Sequence, residues 1–538
     1  MIRRSPALAC LTLAALATIA AGSAIAQQTP APAEPAGGSS SSSTPSKTDR
    51  VADLTLRYRF SERYVADEAQ VGPGMIGPYR VAVLEALRDS VEAAQGAPRR
   101  VDSTRQSIYA ERPASLGPLG VVVASARRVE ASVVKPEEPS KRAGPKPLDG
   151  VSTLIRPKLG DRPLIVCLTD GRTLTEAEYL ALAREIYVPH LAALLPSRSV
   201  RLGDTWRVDR KGAQALLGDP FLQADTLSGK LMDVRKEVDG PRMVASLALT
   251  GKVTGPSGET TINAELSFTF TATLPARDPA RKPTYPPSPT EDMVEARGAI
   301  TELRLATLAS GPLPGPGRLR FLASRKVTLH RQLGLVAGTP APPSLAELPE
   351  PNSTNSWLMH VDPAGRYGFR HPEDLLPPER TQPLAEPDTS LLVRTSREGR
   401  EMLQVEYFAK TLSPEDLKKE LAEKSKALKM EVLKGEEKWL PEAEWPGMRV
   451  HRVDADVKLV DGKLAKAGPS ARIHLDGYLI QFPRSASILA IASTSRPSVA
   501  AFRAEVEQAL KTLRLDPIPA LPTDKAPRPP GELGSAPR

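Results

Sequence analysis

The stretch TINAELSFTFTATL, Thr261 to Leu274, alternates without a break. Ile262, Ala264, Leu266, Phe268, Phe270, Ala272 and Leu274 fall on one face, while threonine, asparagine, glutamate and serine fill the other. A period of two with one dry face is a half-buried β-strand. Most strands have about five or six residues. One of this length extends roughly 45 to 48 Å at about 3.4 Å per residue, so it must twist and curl with its sheet. The dry face could wall a core, line a cavity or meet lipid. Burying each large side chain contributes about 1.5 to 3 kcal/mol, which accounts for the pattern without any ligand. A filled core is therefore the first expectation. An apolar cavity lined by Ile262, Leu266, Phe268 and Phe270 is the second.

The same period appears upstream and downstream. Ala52, Leu54, Leu56, Tyr58 and Phe60 alternate with polar residues, as do Met243 to Leu249 and Leu319 to Leu333. Turn signals such as Gly255 to Glu259 separate these runs, which predicts an antiparallel meander. Met293 to Ala309 continues it, with a slip of alternation near Gly298 that reads as a β-bulge or, alternatively, as helix. A helix is signalled where Thr175 and Glu178 form a capping box ahead of an apolar stripe of Tyr179, Leu182, Ala183 and Ile186. It is predicted over 176–188, with Pro189 ending or kinking it. The Gly203-Asp204 turn should deliver Trp206 into a strand. There the first region resembles uncharacterised exported bacterial β-rich proteins, in a motif too short to carry a function.

From about residue 357 the order of elements changes. Paired strands precede a helix capped by Ser413, with Pro414 at its first position and Asp416 in its first turn. Further strands lead to a last helix whose apolar stripe is Val499, Phe502, Val506, Ala509, Leu510 and Leu513. At Tyr367-Gly-Phe369-Arg-His-Pro372, and again from Ser487 to Leu515, this region resembles the PsbP-like family. Leu375 stands where that family often has tryptophan. The resemblance implies an α/β/α sandwich over about 357–516 and a role in binding or assembly. The expected class is thus α+β: a curved antiparallel sheet with helices over 50–336, then the sandwich.

The ends fix the expected compartment. Arg3 and Arg4 precede an apolar run and the small-residue site Ala24-Ile25-Ala26, which reads as a signal peptide over 1–26 cleaved after Ala26. Export to the periplasm or outside follows, with no integral span left after removal, since no later run approaches about 18 apolar residues. Pro- and Ser-rich composition marks 27–49 as a disordered linker, 337–356 as a hinge and 517–538 as a disordered tail. The chain holds 54 prolines in 538 residues, about twice ordinary usage. An outer-membrane barrel is disfavoured by the capped helix, the proline-rich interruptions and an aromatic content of 4%, too sparse for interfacial girdles.

A net charge of +9 with acids and bases interspersed leaves no basic stripe for nucleic acid. Cys10 falls within the signal, so Cys167 is left without a disulfide partner. Gly72 to Gly77 matches a dinucleotide-loop expression, but Pro78 follows where a helix must begin. Six scattered histidines offer no zinc spacing, and Asp454 with Asp456 is too small a ligand set for a cation. No cofactor is expected. The predicted function is a non-enzymatic envelope protein that binds a small apolar, lipid-like ligand or a protein partner, with an assembly module as the alternative. A hydrolase or transferase using Cys167 and His190 trails both.

Overall fold

In this computed structural model the described residues run from 56 to 515 with breaks, the longest at 137–147, 273–292, 377–390 and 460–471. The expected signal with its cleavage after Ala26, the linker 27–49 and the tail 517–538 lie outside the described residues. Two compact units divide between Ser356 and Trp357.

The first unit is built on one large sheet. Its strands are β1 (Arg57–Ser61), β2 (Tyr79–Glu92), β3 (Arg99–Leu116), β4 (Val122–Pro136), β5 (Ser152–Arg156), β6 (Leu164–Cys167), β7 (Thr205–Arg207), β8 (Gln223–Ala224), β9 (Ser228–Lys236), β10 (Arg242–Gly255), β11 (Gly258–Thr271), β12 (Met293–Pro312) and β13 (Arg320–Leu333). Their order is β6-β5-β4-β3-β2-β13-β12-β11-β10-β9-β7, with β8 on β10 and β1 on β12. All pairings in it are antiparallel except β1 with β12. Long strands twist and curl with their sheet. Tyr58 of β1 exchanges hydrogen bonds of 2.8 and 3.0 Å with Val200, a few residues before β7. One end of the sheet thus folds back to the strand lying on β12. At the other end, among the described residues, β6 has β5 as its strand partner, and Cys167 donates its N–H to the Asn355 carbonyl at 2.8 Å.

The alternation in β11 is fully realised. Ile262, Ala264, Leu266, Phe268 and Phe270 are 0 to 3% exposed and sit in one core cluster with Tyr58, Phe60, Leu247 and Leu303. Phe60 and Phe268 meet edge to face at 5.2 Å, a favoured aromatic geometry. The slip near Gly298 is a bulge: Ser267 pairs with Glu302 and Phe268 with Ile300, so Thr301 is extra. Inward parity changes there, from Val294, Ala296 and Ile300 to Leu303 and Leu305. Gly298 is required beside it, because a Cβ would lie 2.0 Å from the Thr269 carbonyl oxygen.

Helices cover part of this sheet. The capping box of α1 (Glu176–Ala183) forms as read, with Thr175 N–H donating to Glu178 at 2.7 Å and Glu178 N–H to Thr175 at 3.3 Å. The helix stops at Ala183, earlier than predicted. Tyr187 is extended and a 3-10 segment, Val188–Leu194, takes over around Pro189. Pro189 has no N–H to donate to Glu185, so the α-helix cannot run on through 188, and the proline sits in the first turn of the 3-10 segment instead. A second helix, α2 (Arg210–Leu217), is capped by Asp209 and closed by Gly218 at φ 69°. Trp206 lies over Gly229 and donates its indole N–H to the Leu194 carbonyl at 3.0 Å. That bond ties the end of the 3-10 segment to the sheet.

The second unit pairs β14 (Leu358–Val361) with β15 (Gly368–His371) and carries a six-stranded antiparallel sheet. The sheet's strands are β16 (Leu391–Thr395), β17 (Glu401–Phe408), β18 (Met430–Trp439), β19 (Arg449–Leu459), β20 (Arg472–Phe482) and β21 (Ala486–Thr494), in the order β16-β17-β21-β20-β19-β18. Helix α3 (Pro414–Ala427) packs Leu417 and Leu421 with Leu479 and Leu489. Helix α4 (Val499–Leu510) packs Phe502, Val506 and Leu510 with Tyr478, Ile480 and Ile488. Tyr367, Phe369 and Leu375 join the latter cluster.

The expected α+β class with an α/β/α sandwich is corrected. Of the described residues 56% are strand and 16% helix, and the α-helices among them are four and short. A helix is about 10 Å wide and six strands span roughly 25 to 30 Å, so one helix covers about a third of a face and forms no helical layer. Apolar stripes in the sequence reveal that helices exist but not how little sheet they cover.

Candidate functional site

The inner face of the large sheet is not apolar throughout. Where β2, β3 and β4 succeed β13, it becomes ionic. Cross-strand register places Tyr79, Glu111 and Arg127 side by side, within reach of one another. Tyr79 donates to Glu111 at 2.5 Å, and Arg127 bridges Glu111 at 2.7 Å and Glu185 from the segment after α1. Glu185 also receives Arg105 at 2.5 Å, and Arg105 reaches the Ala181 carbonyl at 2.6 Å. On the other side of Tyr79, Arg331 stacks on its ring at 4.0 Å and pairs with Glu62 at 3.2 Å. Glu62 also accepts the Ile300 N–H at 2.7 Å and the Tyr64 hydroxyl.

Glu62, Glu111, Arg127 and Arg331 are 0 to 1% exposed at their side chains. Buried charges are tolerated when paired and hydrogen-bonded; each charge of this network has an opposite, while Nε of Arg105, Nε of Arg331 and the Tyr109 hydroxyl make no hydrogen bond among the described residues. Burial raises the Glu62 carboxyl above its ordinary value, against the opposing pull of Arg331. Desolvation opposes the charge of the Arg127 guanidinium, and the Glu111 and Glu185 carboxylates beside it outweigh that and hold it protonated.

Above part of this network lies a cavity of about 420 Å³. Its floor includes Glu62, Tyr64, Arg127 and Glu185, and its walls include Ile155, Leu182, Ala183, Pro189, Ala192 and Ala215. Half-buried Tyr187 and His190 line it from the 3-10 segment, their rings edge to face at 4.7 Å. The Tyr187 hydroxyl is 2.7 Å from that of Ser125. Burial lowers the His190 pKa, which favours the neutral imidazole. Exposed Val121 and Lys211 stand at the rim. The α1 and 3-10 cover roofs this side of the sheet, and its small alanines leave the space.

The residues singled out from sequence fall elsewhere, with one exception. Ile262, Leu266, Phe268 and Phe270 lie in the core cluster and none of them lines this cavity, while Phe270 also borders a second space of about 990 Å³ beside Met75, Arg242 and Arg297. The physical reason is that β1 lays Tyr58 and Phe60 directly against Phe268 and Phe270. His190 does line the cavity, while Cys167 lies in β6 with its thiol 4.0 Å from the Thr169 carbonyl. Burial pushes that thiol up, the reverse of an activated nucleophile. Asp456 is taken by His474 at 2.9 Å and Asp454 by Arg503 at 3.5 Å. Among the described residues no group of three or more His, Cys, Asp or Glu could hold a metal. The glycines at 72–77 form a turn leading into β2, a strand where a dinucleotide loop needs a helix.

No protein-family model matches the chain, and no curated protein does. Among solved structures, lipovitellin, described for its lipid–protein interactions, is similar at 10% identity and a TM-score of 0.23 over 50% of this chain. The chain spans 27% of that protein's length. The LolA superfamily protein NE2245 from Nitrosomonas europaea is similar at 8% identity and a TM-score of 0.12, covering 48% of this chain and 87% of that one. The outer membrane protein OprD from Pseudomonas aeruginosa is similar at 10% identity and a TM-score of 0.10, covering 81% and 98%. Scores this low carry no argument about this chain. Among the described residues no helix is long and apolar enough to cross a membrane.

Proposed function

We propose that the first unit binds one small lipid-like molecule in the cavity beneath the 3-10 segment, and that the chain is an exported carrier. The observation that carries the reading is the cavity itself: about 420 Å³ with largely apolar walls above a buried, internally paired ionic floor. Small-ligand sites commonly occupy about 300 to 1,000 Å³ with a few convergent polar groups, and this space suits a single chain or ring system. Export is supported by the charged start, apolar run and Ala24-Ile25-Ala26 site of the sequence. Organic extraction of the purified chain followed by mass spectrometry should recover an apolar small molecule. Ala192→Phe, which places a ring in the cavity, should abolish that recovery. A protein that carries nothing and takes up no apolar dye would defeat the reading.

A further inference from the structure

The chemistry of the cavity's polar groups narrows the ligand further, on the assumption that the binding reading above holds. Each buried charge at the floor already has an opposite. Glu62 pairs with Arg331, and Arg127 and Arg105 share Glu111 and Glu185. An ionised headgroup pressed against this floor would meet no unspent counter-charge and would lose its hydration. Away from the rim, what remains unspent beside the cavity is neutral, since Arg105 and Arg331 do not line it. Ser125 and Tyr187 stand 2.7 Å apart with either as donor; two hydroxyls carry two protons and that contact uses one. His190 adds a neutral imidazole, with one N–H and one bare nitrogen.

We infer that the cavity takes an uncharged amphiphile, a single-chain lipid or ring system whose head carries hydroxyl, ester or amide groups. The head lies against Tyr187 and His190, and the apolar part lies along Ile155, Leu182, Ala192 and Ala215. A carbonyl accepts from the spare hydroxyl proton or the imidazole N–H, and a hydroxyl donates to the bare ring nitrogen. Among the described residues that line the cavity, the unpaired cation is exposed Lys211, at the rim. Charge there is screened by water and discriminates weakly.

The test is displacement of the neutral dye N-phenylnaphthylamine from the full chain by three ligands of equal chain length: monomyristoylglycerol, myristate and myristyltrimethylammonium. The glyceride should displace the dye at about a tenfold lower concentration than either ion. Tyr187→Phe, which keeps the ring, should weaken the glyceride about three- to tenfold more than it weakens the dye, the worth of one hydrogen bond. Myristate displacing as well as or better than the glyceride, with the advantage lost in Lys211→Ala, would overturn the neutral-head assignment and leave the binding reading standing. Equal weakening of dye and glyceride by Tyr187→Phe overturns the assignment of the hydroxyl. Failure of the wild type to take up the dye or any of the three ligands sinks the binding reading itself.

Discussion

The inner face of the large sheet has two halves that solve burial differently. Across β10 to β12 it is hydrocarbon, with Leu247, Leu266, Phe268 and Leu303 interdigitated around Tyr58 and Phe60. Across β2 to β4 it is a ladder of Tyr79, Glu111, Arg127 and Tyr109, with Arg127 stacked 3.8 Å over the Tyr109 ring. Apolar side chains accept many neighbours and pack to crystal-like density. Paired guanidiniums and carboxylates accept few, because each needs a partner in a set direction. The cover meets the ionic half through Glu185 and Tyr187 and presents several alanines beside them, and a cavity of about 420 Å³ remains there; a second space of about 990 Å³ borders β10 to β12, with Arg242, Thr269, Phe270 and Arg297 in its lining.

Removing one member of a buried pair gives the largest expected effect. Arg331→Met leaves Glu62 buried without a cation and should lower unfolding free energy by about 3 to 5 kcal/mol. The joint change Glu62→Leu with Arg331→Met should recover most of that loss, since an apolar pair of similar volume needs no solvation. Denaturant unfolding of the two variants decides it. A double variant as unstable as the single one would mean that the ionic half stabilises outright.

Phe268→Ala tests the hydrocarbon half. The expected loss is about 3 to 5 kcal/mol from transfer and cavity terms, and no second deletion should restore it. Recovery in Phe60→Ala with Phe268→Ala would remove the distinction between the halves.

The next effect is a slope. Glu62 titrates above its usual value of 4.5 because of burial, so its contribution is fully present below about that pH and lost as pH climbs through the folded value. Unfolding midpoints between about pH 4 and about pH 8 should therefore contain a declining component that Glu62→Gln removes. An unchanged profile in the variant contradicts the raised value.

The smallest effect lies on the wet face. Lys252 and Glu259 pair at 2.9 Å with both side chains about half exposed, and Lys252→Ala should change stability by about 0.2 to 1 kcal/mol or less. Melting in low and high salt would show whether even that survives screening.

The hydrocarbon half is legible because every inward position of β11 is apolar. The α1 capping box and the helix start at Ser413 are legible for a similar reason, since both lie within a few residues of chain. The ionic half is hidden. Inward Arg105, Ser107, Tyr109 and Glu111 give β3 no dry face, and Pro113 is tolerated only because the pairing with β4 is irregular there. Of the cavity's lining, His190 reads in the sequence only as a candidate base and Leu182 and Ala183 only as part of a helix stripe, while Glu62, Arg127 and Tyr187 are missed. A weak signal was present in the aromatic and charged residues that alternate from Arg105 to Glu111.

By itself the sequence determined period, caps and turns, which depend on neighbours a few residues apart. Only the tertiary structure decided which faces are inside, which charges are safely buried and where space is left. Glu62 and Arg331 are 269 residues apart along the chain, and whether either belongs in a core depends wholly on the other being there.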